Sequence, residues 1–211
     1  YGYFRSSAAF RVRIALNLKG VEAKHVSVNL KPGIDDQHSE DYRLLNPQSR
    51  VPFYTEDEFQ LGQSPAILEY LEDRYPEPAL LPKDYREKAY IRQLSSLIAC
   101  DIHPLNNLSV LKYIKSEFGA DQHAVNKWYS HWIHQGFSAL EAMLIDGKST
   151  GLYCFHDAPT LADIYLVPQI YNARRFDVPL DEFPALVRID HECMKLQAFQ
   201  DALPENQPDA T

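Results

Sequence analysis

Two adjacent hydroxyls, Ser6 and Ser7, stand directly before a strongly apolar stretch near the start of the chain, and Arg5 precedes them. A helix that begins here directs its free N–H groups and the positive end of its dipole toward the two hydroxyls. Such an end binds anions and favours the ionised form of a neighbouring thiol. One hydroxyl is enough to cap a helix. The additional hydroxyl and the arginine therefore predict a site for an anion or a thiolate.

Two further segments can bind parts of a peptide-like ligand. Val51-Pro52 opens a predicted strand, where a proline fits well if its peptide bond is cis and turns the chain sharply. That arrangement would leave the backbone groups of Val51 facing outward, able to pair with an extended ligand. A trans proline on an edge strand is the simpler alternative. Gln63-Ser64 precedes another helix, where a capping serine has a structural role and the helix end can also receive a carboxylate.

The remaining reactive side chains show no comparable pattern. The histidines outside these segments lack the spacing to carboxylates or cysteines that a metal site needs, so no bound metal is expected. The three cysteines lie far apart and form no CxxC pair, which predicts free thiols and a reducing, cytoplasmic location. These cysteines are Cys100, Cys154 and Cys193.

Composition excludes several classes of protein. The chain has 211 residues, of which 45% are hydrophobic, and this is typical of a globular protein with one large or two small domains. The formal net charge of −8 argues against binding to nucleic acid or to an anionic membrane surface, since both require a basic face. No apolar run reaches about 18 residues, so no transmembrane helix is expected.

Strand and helix patterns alternate in the first third of the chain. Aromatic and alternating apolar residues predict strands, whereas apolar residues at three- and four-residue spacing, bounded by serine, glycine or proline, predict helices. The predicted order is β-α-β-α-β-β-α. The strands are expected at 1–4, 24–30, 51–55 and 58–61, and the helices at about 7–18, 36–45 and 65–74. The last two strands are predicted to form a hairpin closed by acidic turn residues.

A proline-rich segment at 76–82 separates this region from a helical remainder. Long helical patterns cover 87–111, with an interruption at Pro104, and 121–144. A third begins at Thr160, where Asp163 completes a capping box, and a last one covers about 183–202. The predicted organisation is therefore an α/β domain at 1–75, a linker at 76–82 and an all-helical domain at 83–211. The tail after residue 203 is expected to be loose.

Several of these motifs together resemble the zeta class of the glutathione transferases, over nearly the whole chain. The shared segments are "SSAAFRVRIAL", "NPQSRVP", "QSPAILEYLE", "DIHPLNNLSVL" and "TLADIYLVPQ" followed by "ARRF". The resemblance implies a thioredoxin-like N-terminal domain followed by an all-α C-terminal domain, with glutathione as cofactor. It also implies that Pro52 is cis and that two copies form a homodimer.

The resemblance assigns the glutathione contacts by position. The γ-glutamyl carboxylate would contact Gln63 and Ser64, and the cysteinyl backbone would pair with Val51. The glycyl end would approach Gln37 and His38. From the helical domain, the resemblance implies three further residues lining the site, and these are His103, Asn107 and Ser109.

The catalytic group that the resemblance implies is Ser6, supported by Ser7 and Arg5, where the thiolate would be held. Carboxylates of the substrate would contact Arg5, Arg11 and Arg175, because the planar guanidinium binds carboxylates through two hydrogen bonds. The chain departs from the family pattern at Ala8, where the zeta motif usually has a cysteine. A protein thiol at this position is therefore excluded.

The implied activity is the glutathione-dependent cis–trans isomerisation of maleylacetoacetate to fumarylacetoacetate, a step in the catabolism of tyrosine and phenylalanine. Alternatives within the same class are isomerisation of maleylpyruvate and attack on small α-halo acids. A different alternative is a non-catalytic binding module, because this fold is reused without activity. Such a module would be expected to lose its hydroxyls or its glutathione contacts, and this chain retains them.

Overall fold

The structure is a computed structural model, and it describes residues 1–210. The chain divides into two compact units, Tyr1–Leu80 joined by the segment from Met194 onward, and Leu81–Cys193. The division after Leu80 falls within the predicted linker at 76–82. The segment after Cys193 groups with the first unit, although the sequence analysis assigned it to the helical domain at 83–211.

Helices dominate both units. In chain order the elements are α1 (Ser7–Leu18), a 3₁₀ helix (Asp36–His38), α2 (Glu40–Leu45), β1 (Phe53–Glu56), β2 (Phe59–Gly62), α3 (Ser64–Arg74), α4 (Tyr85–Ser96), a π-helix (Leu97–Ile102), α5 (Leu108–Phe118), α6 (Gln122–Asp146), α7 (Leu161–Arg175), α8 (Pro184–Cys193), α9 (Gln197–Asp201) and a second 3₁₀ helix (Pro204–Asn206).

The predicted hairpin is present, with its strands shifted by one or two residues. β1 and β2 are antiparallel, and Glu56 pairs with Phe59 across a two-residue loop. Asp57 in this loop has a φ of +51°, the left-handed conformation that aspartate tolerates better than most residues. The loop is therefore acidic, as the sequence suggested.

The other two predicted strands are nearly absent. Residues 1–4 and 24–30 form one isolated parallel bridge, between Gly2 and Ser27. The pairing does not continue because the next available backbone N–H, that of Phe4, donates to the side chain of Asp209 at 3.1 Å. The predicted four-stranded arrangement is thus reduced to a two-stranded sheet and a bridge.

The first unit has its core between three helices. Each of these helices contributes completely buried side chains. They are Ile14 and Ala15 of α1, Ile67 and Leu71 of α3, and Phe199 of α9. α1 packs against both α3 and α9. The tail after residue 203 was expected to be loose, but Pro204–Asn206 forms a 3₁₀ helix and the carboxylate of Asp209 accepts a hydrogen bond from the N–H of Phe4 at 3.1 Å.

The second unit is helical, as expected, with two differences from the predicted boundaries. The predicted helix at 87–111 is observed as α4, the π-helix and α5, with a break that includes Pro104. The predicted helix at 183–202 is divided into α8 and α9, because the chain passes from the second unit to the first at Cys193. No helix in residues 1–210 is both long enough and apolar enough to span a membrane.

The predicted capping box of α7 is confirmed. The carboxylate of Asp163, which is completely buried, accepts hydrogen bonds from the backbone N–H of Thr160 at 2.8 Å and from its hydroxyl at 2.9 Å. The other carboxylate oxygen accepts from the N–H of Cys154 at 2.8 Å. The side chain therefore fixes both the start of α7 and the loop before it.

Candidate functional site

The Arg5-Ser6-Ser7 segment forms the turn that leads into α1. The N–H of Ser6 donates to the carbonyl of Tyr3 at 2.9 Å, and the hydroxyl of Ser6 accepts from the N–H of Ala9 at 3.3 Å. Ser6 is therefore the helix cap, and Ser7 is the first residue of the helix. A hydroxyl has one donor and two acceptor positions, so Ser6 can cap α1 and still donate to an anion.

The electrostatic environment of this helix end favours negative charge. The first turn of α1 contains no acidic residue, so the positive end of its dipole is not neutralised within the helix. Arg5 is exposed, and its guanidinium carbon lies 4.8 Å from the centre of the Phe4 ring. Ser6 is half-buried and Ser7 is buried. The turn thus presents one partly accessible hydroxyl and one accessible cation.

The Val51-Pro52 peptide bond is cis, which confirms the prediction. The preceding residue is fixed from two sides, because the carbonyl of Arg50 accepts hydrogen bonds from the hydroxyl of Tyr42 and the amide of Asn46, both at 2.7 Å. Within residues 1–210 neither backbone group of Val51 has a hydrogen-bond partner. An extended peptide can therefore pair with Val51, as a glutathione site requires.

α3 begins one residue earlier than predicted. Ser64 is its first residue, and Gln63 occupies the cap position with a φ of +67°, which is unusual for a residue other than glycine. The amide nitrogen of Gln63 donates to the side-chain oxygen of Gln48 at 2.6 Å. The Gln63 side chain is thus held at the helix start without capping it.

Arg11 is buried, unlike Arg5 and Arg175, the other arginines assigned to substrate. Its Nη1 lies 3.4 Å from the hydroxyl oxygen of Ser64. The buried contact connects α1 with the start of α3. A contact between Arg11 and a substrate carboxylate stays a prediction.

The 3₁₀ helix contains both residues assigned to the glycyl end. Gln37 is buried and its amide nitrogen donates to the carboxylate of Asp35 at 3.1 Å, whereas its side-chain oxygen is buried without a hydrogen-bond partner within residues 1–210. His38 is exposed. The unused oxygen of Gln37 can accept from a ligand N–H, and this is a second feature that fits a bound peptide.

The four remaining predicted site residues lie in the second unit. Asn107 caps α5, and its side-chain oxygen accepts from both the N–H and the hydroxyl of Ser109, at 3.0 and 2.8 Å. His103 is half-buried and directly follows the π-helix, a distortion that the sequence analysis missed and that is common near functional sites. Arg175 is exposed over the ring of Phe176, at 5.1 Å from its centre.

None of the three cysteines lies at the start of α1, where Ser6 is the cap. Cys154 and Cys193 are buried in the second unit, whereas Cys100 is exposed on the π-helix. Burial and the nearby carboxylate of Asp163 raise the pKa of both buried thiols. Ala8, at the motif position, is buried in α1. Residues 1–210 contain no group of three or more His, Cys, Asp or Glu side chains that could hold a metal ion.

Comparison with known proteins gives the family. Residues 1–79 match the model of the glutathione S-transferase N-terminal domain. The chain is 46% identical to the maleylpyruvate isomerase of a Ralstonia species, with 100% of this chain and 98% of that protein covered. It is also 46% identical to the maleylacetoacetate isomerase of Pseudomonas aeruginosa, with 99% of this chain and 97% of that protein covered.

Two solved structures are similar over the full length. One is a maleylpyruvate isomerase described as a bacterial zeta-class glutathione S-transferase, with a TM-score of 0.97, 45% identity, and coverage of 100% of this chain and 99% of that chain. The other is a maleylacetoacetate isomerase from Methylobacterium extorquens with bound malonate and glutathione. Its TM-score is 0.96 at 36% identity, with 100% and 98% covered.

This chain belongs to the zeta class of the glutathione transferases. The predicted fold, with a thioredoxin-like N-terminal region and a helical C-terminal region, is that of its relatives. Three features of the candidate site lie together in the first compact unit of this transferase. They are the Ser6 cap, the cis peptide bond at Pro52 and the start of α3 at Ser64.

Proposed function

We propose that this glutathione transferase is a maleylacetoacetate isomerase, which converts a cis to a trans double bond with the help of glutathione. The observation that carries the proposal is the Arg5-Ser6-Ser7 turn at the positive end of α1, whose first turn contains no acidic residue. It occurs in a chain that is 46% identical to a maleylacetoacetate isomerase over almost its full length. The related structure with glutathione and malonate supports both the cofactor and a small dicarboxylate as ligands.

The residues of the first unit provide a place for each part of glutathione. Val51 offers its N–H and C=O to the cysteinyl backbone, and the start of α3 at Ser64 receives the γ-glutamyl carboxylate beside Gln63. Gln37 and His38 serve the glycyl end. Bound glutathione supplies a thiolate that adds reversibly to the cis double bond, so that the bond can rotate before the thiolate leaves.

The protein lowers the energy of the charges that this reaction needs. Ser6 donates its hydroxyl hydrogen to the sulfur, and the positive end of α1 lowers the thiol pKa. Ser7, buried at the first position of the helix, supports the same charge. Arg5 binds one substrate carboxylate, and Arg175 of the second unit is proposed for the other. Because the same thiolate adds and leaves, glutathione is not consumed.

Maleylpyruvate is the second candidate substrate, since a maleylpyruvate isomerase is equally similar in sequence and a solved structure of a maleylpyruvate isomerase has a TM-score of 0.97. The test is to measure the turnover of both diacids by purified protein, with and without glutathione. We expect isomerisation of maleylacetoacetate that requires glutathione. A clear preference for maleylpyruvate would make it the substrate in place of maleylacetoacetate. Small α-halo acids are tested as a third group of substrates in the same experiment.

A non-catalytic role is the remaining alternative, and glutathione affinity distinguishes it. We expect the protein to bind a glutathione column and to elute with free glutathione. A protein that binds the column but isomerises none of the diacids would be a binding module. We further propose a cytoplasmic homodimer, supported by the family and by the free cysteines. Light scattering on purified protein measures the oligomeric state.

A further inference from the structure

Two side chains from other parts of the chain hydrogen-bond to the turn that carries Arg5, Ser6 and Ser7. The N–H of Phe4 donates to Oδ2 of Asp209 at 3.1 Å, and the carbonyl of Phe4 accepts from Nη2 of Arg13 at 3.0 Å. Phe4 itself is buried. Both backbone groups at the centre of the turn are therefore bound by side chains and not by a neighbouring strand.

These two side chains end the strand pairing at this point. Gly2 donates to the carbonyl of Val26 at 2.9 Å and accepts from the N–H of Val28 at 2.7 Å. In a parallel ladder the next residue with the same orientation, Phe4, would make the equivalent bonds further along. Asp209 takes the place of the acceptor that such a ladder would provide. The chain can then leave the sheet direction and turn into α1.

The Asp209 carboxylate is itself well fixed. Oδ2 also accepts from the hydroxyl of Ser27 at 3.0 Å, and Oδ1 lies 3.1 Å from Nε2 of His25. Only 12% of the Asp209 side chain is exposed. A carboxylate with three polar neighbours on two segments has little freedom to move, so it imposes its position on Phe4.

The C-terminal segment is joined to α1 by two more hydrogen bonds. Arg13, which binds the carbonyl of Phe4, also donates through Nε to the carbonyl of Ala202 at 3.0 Å. The side-chain amide of Asn17 donates to the carbonyl of Ala198 at 2.9 Å. The last residues of the chain, the turn and α1 therefore form one hydrogen-bonded assembly.

We infer that Asp209 is a positioning residue for catalysis, because its carboxylate sets the conformation of the turn that carries Arg5, Ser6 and Ser7. The inference rests on the proposed function, in which this turn holds the thiolate and one substrate carboxylate. Phe4 transmits the effect directly, since its N–H is bound by Asp209 and its ring lies under the Arg5 guanidinium. Asp209 touches neither reactant in this role.

The negative charge of the Asp209 carboxylate and the hydrogen bond that its oxygen accepts have opposite effects on the stability of a bound thiolate. A negative charge near the turn opposes a second negative charge, whereas the acceptor fixes the donors that stabilise it. Asp209→Asn removes the charge and retains an oxygen that can accept from Phe4. Asp209→Ala removes both. The inference therefore requires the alanine variant to be impaired and the asparagine variant to remain active.

The experiment compares Asp209→Ala and Asp209→Asn with wild type and with Asp201→Ala. Asp201 lies in the same segment and is exposed, and within residues 1–210 its carboxylate accepts a hydrogen bond only from the nearby side chain of Gln197, so it is a matched control. Three quantities are measured: exchange of the Phe4 amide hydrogen without ligand, the pKa of bound glutathione from thiolate absorbance, and kcat/KM across pH.

For Asp209→Ala we expect faster exchange at Phe4, a higher pKa of the bound thiol and a loss of about tenfold in kcat/KM, the effect of one lost hydrogen bond. Asp209→Asn and Asp201→Ala should stay within about twofold of wild type. Unchanged thiol pKa and kcat/KM in Asp209→Ala would overturn the inference, and so would an equal loss in Asp201→Ala. An inactive wild type that binds no glutathione would instead refute the proposed function, and the inference with it.

Discussion

Ser6 combines a structural and a chemical task in one hydroxyl group. Its oxygen accepts the N–H of Ala9, while its hydrogen remains able to donate to a thiolate. The two tasks predict separate losses when the hydroxyl is removed. The free energy of unfolding should fall by the contribution of a helix cap. The kcat should fall by the contribution of a hydrogen-bond donor in the chemical step.

For Ser6→Ala we expect a loss of about 1 kcal/mol in the free energy of unfolding, as for other capping residues. We expect kcat at saturating glutathione to fall at least about tenfold, because the anion loses a fixed donor. Urea denaturation and turnover across pH measure the two effects. Asp121→Ala, which removes the equivalent cap of α6, is the control and should lose stability without losing kcat. Unchanged kcat and pH profile in Ser6→Ala would leave Ser6 a helix cap only.

Arg5 is exposed and forms no ion pair with a carboxylate of residues 1–210. Arg5→Ala should therefore raise KM for the diacid substrate about tenfold through the lost charge-assisted hydrogen bonds, with little change in glutathione affinity. Steady-state kinetics with each ligand varied in turn measures this. Arg86→Ala is a matched control, since Arg86 is also an exposed arginine over an aromatic ring, that of Tyr85. A larger effect on glutathione than on the diacid would contradict the assignment.

The cysteines should differ sharply in reactivity. The thiolate is the nucleophile, and burial raises the pKa of Cys154 and Cys193, so both remain protonated and protected near neutral pH. Only Cys100 is exposed. We expect iodoacetamide to label Cys100 alone in the native protein, and Cys100→Ser to abolish labelling, as read by mass spectrometry. Glutathione should not shield any cysteine, and strong protection of one would show that we have placed the site wrongly.

At the scale of elements, α6 packs closely against the π-helix in the second unit. A Cβ atom added at Gly136 would lie 2.3 Å from two side-chain carbons of Ile102, which is completely buried. Gly136 is therefore required for this contact. The absence of a side chain allows the irregular turn of the π-helix to approach α6.

Gly136→Ala should lower the free energy of unfolding by about 1–2 kcal/mol, because overpacking outweighs the better helix propensity of alanine. In an Ile102→Ala background the same substitution should become neutral or stabilising, since the clash is gone and only the propensity remains. Urea denaturation of the four proteins measures the cycle. An equal loss in both backgrounds would mean that the Ile102 side chain is not the obstacle.

At the scale of the whole chain, the first compact unit is built from both ends of the sequence. Phe199 of α9 is completely buried, and α9 packs against α1, which opens with the Ser6 cap. Because α9 is distant from α1 in sequence, the first unit depends on a contact between segments that are far apart along the chain. Its stability should respond strongly to changes in α9.

Phe199→Ala should cost about 3–5 kcal/mol of unfolding free energy through lost burial and the cavity that remains. Hydrogen exchange should increase in α1 as well as in the segment after Met194. Phe118→Ala is the control, because this side chain is 74% exposed, and it should have little effect. Increased exchange confined to the helices of the second unit would contradict the grouping of the C-terminal segment with α1.

Features that depend on neighbouring residues could be predicted from the sequence. The capping box at Asp163 and the acidic hairpin loop each involve residues within four positions, so local patterns predict them. The pattern alone predicted a helix start at Ser6 or Ser7 without choosing between them, and it favoured a trans bond at Pro52; the cis bond was expected only from the family resemblance. The family motifs likewise identified the fold and the zeta class.

Features that join distant residues became visible only in the tertiary structure. The sequence places Arg11 one helical turn beyond Ser7, but it does not show that the side chain is buried against Ser64, 53 positions away along the chain. The strand pattern at 1–4 ended at Phe4 because Asp209, 205 positions away, takes its N–H. The side chain of Ile102, at the end of the π-helix, occupies the space beside Gly136 on another helix. Periodicity reports which residues are apolar and not which distant groups meet, so the sequence alone could not predict these contacts.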